Sequence, residues 1–183
     1  MAESTLALDY NELKRRVGRF LGYDRDSTLW DDDQLDDVEE SILSGLRQFY
    51  YPPSGHEWRF LAPNRTLVTV ASTASYNLPD DFGSISGTHL TFQSDYQQLF
   101  VEVTGEQRIR KARQSRSGTG RPELAAIVPI ELTTTGSATA GQRFKMELWP
   151  TPDAVYTLEY RCEVAPFSLS DGRIYPYGGA VHS

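Results

Sequence analysis

The sequence predicts an α+β fold. A helical N-terminal segment covers residues 1–60, and an antiparallel β-sandwich or open barrel covers 61–166 with one short helix inserted at 105–115. An extended C-terminal arm covers 167–183. Three observations carry this. Up to Tyr50, apolar residues recur at steps of three and four, which lines one face of a helix. Past Phe60 the period falls to two, the spacing of a strand with one dry face. From Ser168 the chain turns polar and rich in Gly and Pro, ending YPYGGAVHS.

The first helix opens at Asp9, an N-cap with Glu12 three residues on. Leu13, Val17, Phe20 and Leu21 share one face, and Lys14, Arg15, Arg16 and Arg19 decorate the rest. Gly22 is placed to end it. The run Asp31–Glu40, DDDQLDDVEE, holds seven acids in ten residues. It has no glycine, and Leu35 stands where a calcium loop would want an oxygen ligand. It therefore reads as a helix N-terminus, where unpaired N–H groups favour carboxylates by roughly 0.3–1 kcal/mol each. The helix continues through Val38, Ile42, Leu46, Phe49 and Tyr50, and Pro52-Pro53 stops it.

Strand candidates follow at Arg65–Ala71, Tyr76–Leu78, Gly87–Phe92, Leu99–Val103 and Leu124–Ile130, the last almost continuously apolar. Phe144, Met146 and Leu148 alternate with Arg143, Lys145 and Glu147, and Tyr156 to Val164 alternate in the same way. With Trp149–Asp153 between them, these two runs read as a hairpin. Glu106–Arg113 is the inserted helix, and Thr133–Gly141 a flexible hairpin tip.

Chemistry is hard to find. The three histidines, His56, His89 and His182, lack a zinc-type spacing, and Cys162 is the single cysteine. There is no nucleophile elbow and no phosphate-cradling loop; Asp80-Asp81 reads as a turn. No catalytic, cofactor-binding or metal residue is expected. No apolar run approaches a membrane span, and the N-terminus MAESTLALDYNEL carries no secretion signal. A lone cysteine fits assembly in a reducing cytoplasm. The net charge of −7 argues against wrapping nucleic acid and suits a surface that DNA passes without sticking. The basic cluster Arg108, Arg110, Lys111, Arg113, Arg116 and Arg121 reads either as a solvated helix and loop or as a contact for phosphates or an acidic partner. Tyr50, Tyr51, Trp58 and Phe60 read as packing first and as a docking patch second.

The segments ELKRRVGRFLGY, LRQFYYPP, HEWRFLAP, SYNLPDDFG, GTGRPELAAIVP and MELWPTPDAVYTLEYR occur in this order along nearly the whole chain. Together they resemble the head-to-tail adaptor (connector) proteins of tailed bacteriophages, the group that includes podovirus tail tubular protein A. The resemblance implies a structural virion protein without enzymatic activity or cofactor. It implies a ring of about twelve copies at the virion neck, assembled in the host cytoplasm. It also implies a portal protein above, a tail or tail-nozzle protein below, and a channel that passes DNA without recognising it. A further C-terminal helix is implied after a segment like YPYGGAVHS, and the sequence ends at Ser183 before any such helix. On this reading Lys14, Arg15, Arg16 and Arg19 of one subunit meet Asp32, Asp33, Asp36 and Asp37 of the next. Contacts with the portal or another partner are expected from Tyr50, Tyr51, Arg108, Arg110, Lys111, Arg113, Tyr175, Tyr177 and His182. A carbohydrate- or receptor-binding β-module of a tail or cell-surface protein is the alternative, and a hydrolase with scattered carboxylates a third.

Overall fold

In the computed structural model, residues 8–93, 99–116, 118–130 and 142–177 are described. They form two compact units: Met1–Leu61 with Pro166–Ser183, and Ala62–Ala165.

In the helical unit, α1 spans Tyr10–Leu21 and α2 spans Asp32–Tyr50, with a single 3-10 turn at Ser27–Leu29 between them. Both helices start as their sequences require. Asp9 accepts from the Glu12 N–H at 2.7 Å. Asp31 accepts from the Gln34 N–H at 2.8 Å while Gln34 returns a bond to the Asp31 N–H, a complete capping box. Gly22 ends α1 at φ 89°, a left-handed geometry that glycine adopts without steric cost. Tyr10, Trp30, Val38, Ile42 and Leu169 form the buried core, with Leu13, Val17, Tyr23, Leu35, Leu46 and Ile174 packed on it.

Leu169 and Ile174 belong to the segment that the sequence presents as an extended arm. Its described part, through Tyr177, instead lies on the helices: the Tyr10 N–H donates to the Ile174 carbonyl at 2.9 Å, and the Tyr177 N–H donates to the Tyr50 hydroxyl at 2.9 Å. Two aliphatic side chains in a polar stretch suffice to fold it back, because two amphipathic helices cannot bury their stripes against each other alone.

Among the described residues the second unit holds seven strands: β1 Asn64–Val68, β2 Ser75–Asn77, β3 Phe82–Phe92, β4 Phe100–Val103, β5 Leu124–Ile130, β6 Arg143–Trp149 and β7 Thr157–Val164. A helix, α3 (Glu106–Ser115), stands between β4 and β5. The described strands make one sheet in the order β1-β7-β3-β4-β5-β6-β2, not two sheets packed face to face. The sheet is mixed: every pair is antiparallel except β4 and β5, which are parallel. The inserted helix is the reason, since parallel neighbours need a crossover and α3 supplies it.

The sheet also curls. Laid flat, seven strands would put their outer members about 29 Å apart. Those members, β1 and β2, are joined by only the six residues between Val68 and Ser75, a link that reaches about 25 Å at full stretch. Register shifts in β3 beside Gly87, at φ 100°, help it bend. The open barrel, rather than the sandwich, is thus the nearer of the two expected layouts. Its inner face packs Leu90 against Val101, Ala125 against Leu148 and Phe82 against Val164, all buried. The other face of β5, through Leu124, Ala126 and Val128, is sealed by Ile109 of α3. Burial on both faces explains the unbroken apolar run LAAIVPI.

One expectation fails outright. β6 and β7 are not a hairpin: β6 pairs with β5 and β2, and β7 with β1 and β3. The true hairpin is β5–β6, and its expected tip, Thr133–Gly141, lies outside the described residues.

Candidate interaction surfaces

The sequence nominates side chains for contacts between copies, and folding sorts them into occupied and free. On α1, Lys14 is claimed within its own chain: its Nζ lies 3.7 Å from Asp171 and 4.4 Å above the Tyr10 ring. Arg16 pairs with Glu12 at 3.0 Å, one helical turn away. Arg15 and Arg19 are exposed and have no ion pair among the described residues. Arg25 joins them, a residue that the sequence reading missed because it lies in the link after Gly22 and only the fold returns it to α1. It lines a groove of about 410 Å³ with Glu12, Arg15, Arg16 and Arg19, and a second of about 530 Å³ that includes Asn11, Lys14, Arg15 and Trp30.

The acidic start of α2 divides in the same way. Asp31 is spent on the cap, and Asp37 accepts from the Tyr23 hydroxyl at 2.7 Å. That bond holds the Tyr23 phenol above its usual pKa. Asp32, Asp33 and Asp36 are exposed and meet no cation among the described residues.

Phe20 departs from expectation. Placed by periodicity on the apolar face of α1, it is 89% exposed, the most exposed of the large apolar side chains described. It sits at the edge of the apolar arc in the last turn, beyond the cover that α2 and Trp30 give to Val17 and Gly18. Leaving a phenyl ring in water forgoes roughly 1.5–3 kcal/mol.

Tyr50 differs as well. It is buried, its hydroxyl accepts from Tyr177, and burial pushes its phenol up. Tyr51 is 64% exposed and free to meet a partner. Tyr175 and Tyr177 are half-buried, with the Arg173 guanidinium 4.9 Å from the Tyr177 ring centre. His182 lies outside the described residues. Trp58 donates to the Phe49 carbonyl at 2.6 Å, and Phe49, Trp58 and Phe60 contact one another as a cluster of rings, so these aromatics serve packing.

In the sheet unit the basic cluster is largely neutralised where it stands. Arg108 pairs with Glu102 and Arg110 with Glu106. Arg113 bonds Glu147 at 2.8 Å, and Lys145 meets the same carboxylate at 2.9 Å. Glu147 is buried, against the wet position that alternation gives it, because α3 covers that face of β6. Burial alone would push its carboxyl up; the bonds from Lys145 and Arg113 outweigh this and hold it below the ordinary range. Lys111 and Arg116 remain exposed without an ion pair among the described residues. Arg65 grips Asp81 with two bonds of 2.7 Å, tying β1 to the turn before β3. Cys162 is buried, and burial pushes its thiol up.

Among the described residues no group of three or more His, Cys, Asp or Glu is placed to hold a metal, and no helix is long and apolar enough to cross a membrane. No curated protein matches the chain. A family model does: residues 8–177 match the SU10 adaptor protein family, a span that covers α1, α2, α3, β1 to β7 and the segment packed on the first two helices. The chain therefore belongs to the SU10 adaptor family, a phage structural adaptor.

Proposed function

We propose that this adaptor bridges the portal and the tail at the virion neck, as a closed ring of about twelve copies around a channel that passes DNA. The observation that carries the reading beyond the family is the separation of charge within one helical unit. Arg15, Arg19 and Arg25 have no acidic partner among the described residues, and Asp32, Asp33 and Asp36 have no basic one. A surface with both signs, each unspent at home, is suited to binding its own copies side by side. Lys14, Arg16 and Asp37 contribute to the field while holding their internal partners.

Function is then geometric. The helical unit supplies contacts between copies. Tyr51 and the half-buried Tyr175 and Tyr177 of the packed segment offer contacts toward the portal. Lys111 and Arg116 on and after α3 leave a small basic patch for the tail or nozzle protein. A chain of net charge −7 lets DNA slide by with little attraction. The buried, protonated thiol of Cys162 suits assembly in the host cytoplasm.

Negative-stain imaging and light scattering of the full chain, alone and mixed with its portal, test this. The expected result is a closed ring that forms alone or on the portal. A chain that stays monomeric with portal present and retains glycans on a column would instead support the carbohydrate-binding alternative.

A further inference from the structure

We propose that neighbouring copies join through two complementary faces of the helical unit: Arg15, Arg19 and Phe20 of α1 on one copy against Asp32, Asp36 and Leu43 of α2 on the next. This rests on the ring reading above and adds which side chains close the contact.

Each face combines charge of one sign with an apolar group. On α1, Arg15 and Arg19 lie one turn apart on one flank, and Phe20, 89% exposed, stands about 100° further round the helix from Arg19. Neither Arg15 nor Arg19 finds an acid among the described residues of its own chain. On α2, Asp32, Asp36 and Leu43 recur at steps of four and seven, which places them on one flank of the helix. That flank turns away from the buried Val38 and Ile42, and Leu43 is 36% exposed on it. Three neighbours are already taken: Lys14 by Asp171, Arg16 by Glu12 and Asp37 by Tyr23. Arg25 and Asp33, also exposed and without an ion pair among the described residues, add to the charge of each face. The result is a cationic face with a phenyl ring at its far side and an anionic flank with a leucine. Charge fixes the register, and the two apolar groups gain from leaving water together. Because the two patches are different, the contact is heterologous, and a rotation that closes yields a ring.

The test uses charge exchange in the full chain, read by light scattering and negative stain at low salt under conditions where the wild type closes its ring, with circular dichroism to check folding. Arg15→Glu with Arg19→Glu makes both patches acidic; Asp32→Lys with Asp36→Lys makes both basic. Each variant alone should assemble about tenfold or more weakly. An equal mixture should recover rings by alternation, and all four changes in one chain should restore self-assembly. Asp32→Asn with Asp36→Asn, gentler on the start of α2, should weaken assembly in the same direction. Phe20→Ser should weaken assembly without changing the melting temperature of the monomer. Wild-type rings that tolerate these changes, or a mixture that fails to recover, overturn this contact and leave the ring reading standing. A wild-type chain that closes no ring, alone or with portal, overturns both.

Discussion

Gly18 shows how a single hydrogen atom fixes a helix pair. A Cβ built there would lie 2.4 Å from two ring carbons of Trp30, whose indole N–H is held by the Asp24 carbonyl at 2.8 Å. The ring cannot retreat without losing that bond. Gly18→Ala should therefore destabilise the helical unit by about 1–3 kcal/mol despite alanine's better helix propensity. Gly45, also within a helix, has nothing within 4 Å of such a Cβ. There Gly45→Ala should stabilise by about 0.5–1 kcal/mol. Urea melts of the two variants should move in opposite directions, and equal shifts would refute the steric reading. Glu147 is the counterpart in the sheet unit. Its folded pKa is lowered, so the folded chain binds fewer protons than the unfolded chain in the acid range. Its stabilising contribution is complete above the ordinary carboxylate value and fades as pH falls through the lowered one. Glu147→Gln should cost about 1–3 kcal/mol at pH 7 and flatten that part of the acid limb, read by denaturation at several pH values.

Among elements, α2 is the most legible. Its acids, its capping box and its apolar spacing all agree on one start and one buried face. Asp31→Ala should lower stability by about 1 kcal/mol, whereas Asp33→Asn, which removes an exposed charge outside the box, should change it by a few tenths; thermal melts by circular dichroism separate the two. The strands were legible as strands, apart from the first half of β3, Phe82–Ser86, which precedes the expected Gly87–Phe92, but they were not legible as partners. Alternation in β7 states which residues are dry: Leu158, Tyr160, Cys162 and Val164 are all buried. It says nothing of the neighbour, because any strand with a matching dry face satisfies the same pattern. The order of β6 and β7 along the chain suggested a hairpin, and the sheet placed β3, β4 and β5 between them. In β6, the side chain of Glu147 looked wet because the helix that covers it, α3, comes from thirty and more residues earlier.

At the scale of the molecule, the helical unit is discontinuous in sequence, with its core completed by Leu169 and Ile174. Ending the chain at Ala165 should remove those two side chains and the bond from Tyr177 to Tyr50. Losing a buried leucine such as Leu169 costs about 2–5 kcal/mol, and the half-buried Ile174 adds less. The helical transition should fall or vanish while that of the sheet unit, Ala62–Ala165, persists. Calorimetry of the shortened chain checks this; parallel loss of both transitions would contradict it.

The candidate contact surface was partly legible. Its charges could be read from composition and spacing, since Arg15, Arg19, Asp32 and Asp36 sit where helical periodicity exposes them. Which charges were free could not be read, since Asp171 and Tyr23 reach Lys14 and Asp37 only after folding. Alone, the sequence determined what depends on near neighbours: where helices start and stop, which strand faces are dry, and the absence of a recognisable catalytic motif. Tertiary structure decided what depends on distant pairing: one curled mixed sheet, a folded-back segment, a buried Glu147 and an uncovered Phe20. The reason is that capping and periodicity act over three or four residues, whereas burial is settled by whichever remote surface arrives to exclude water.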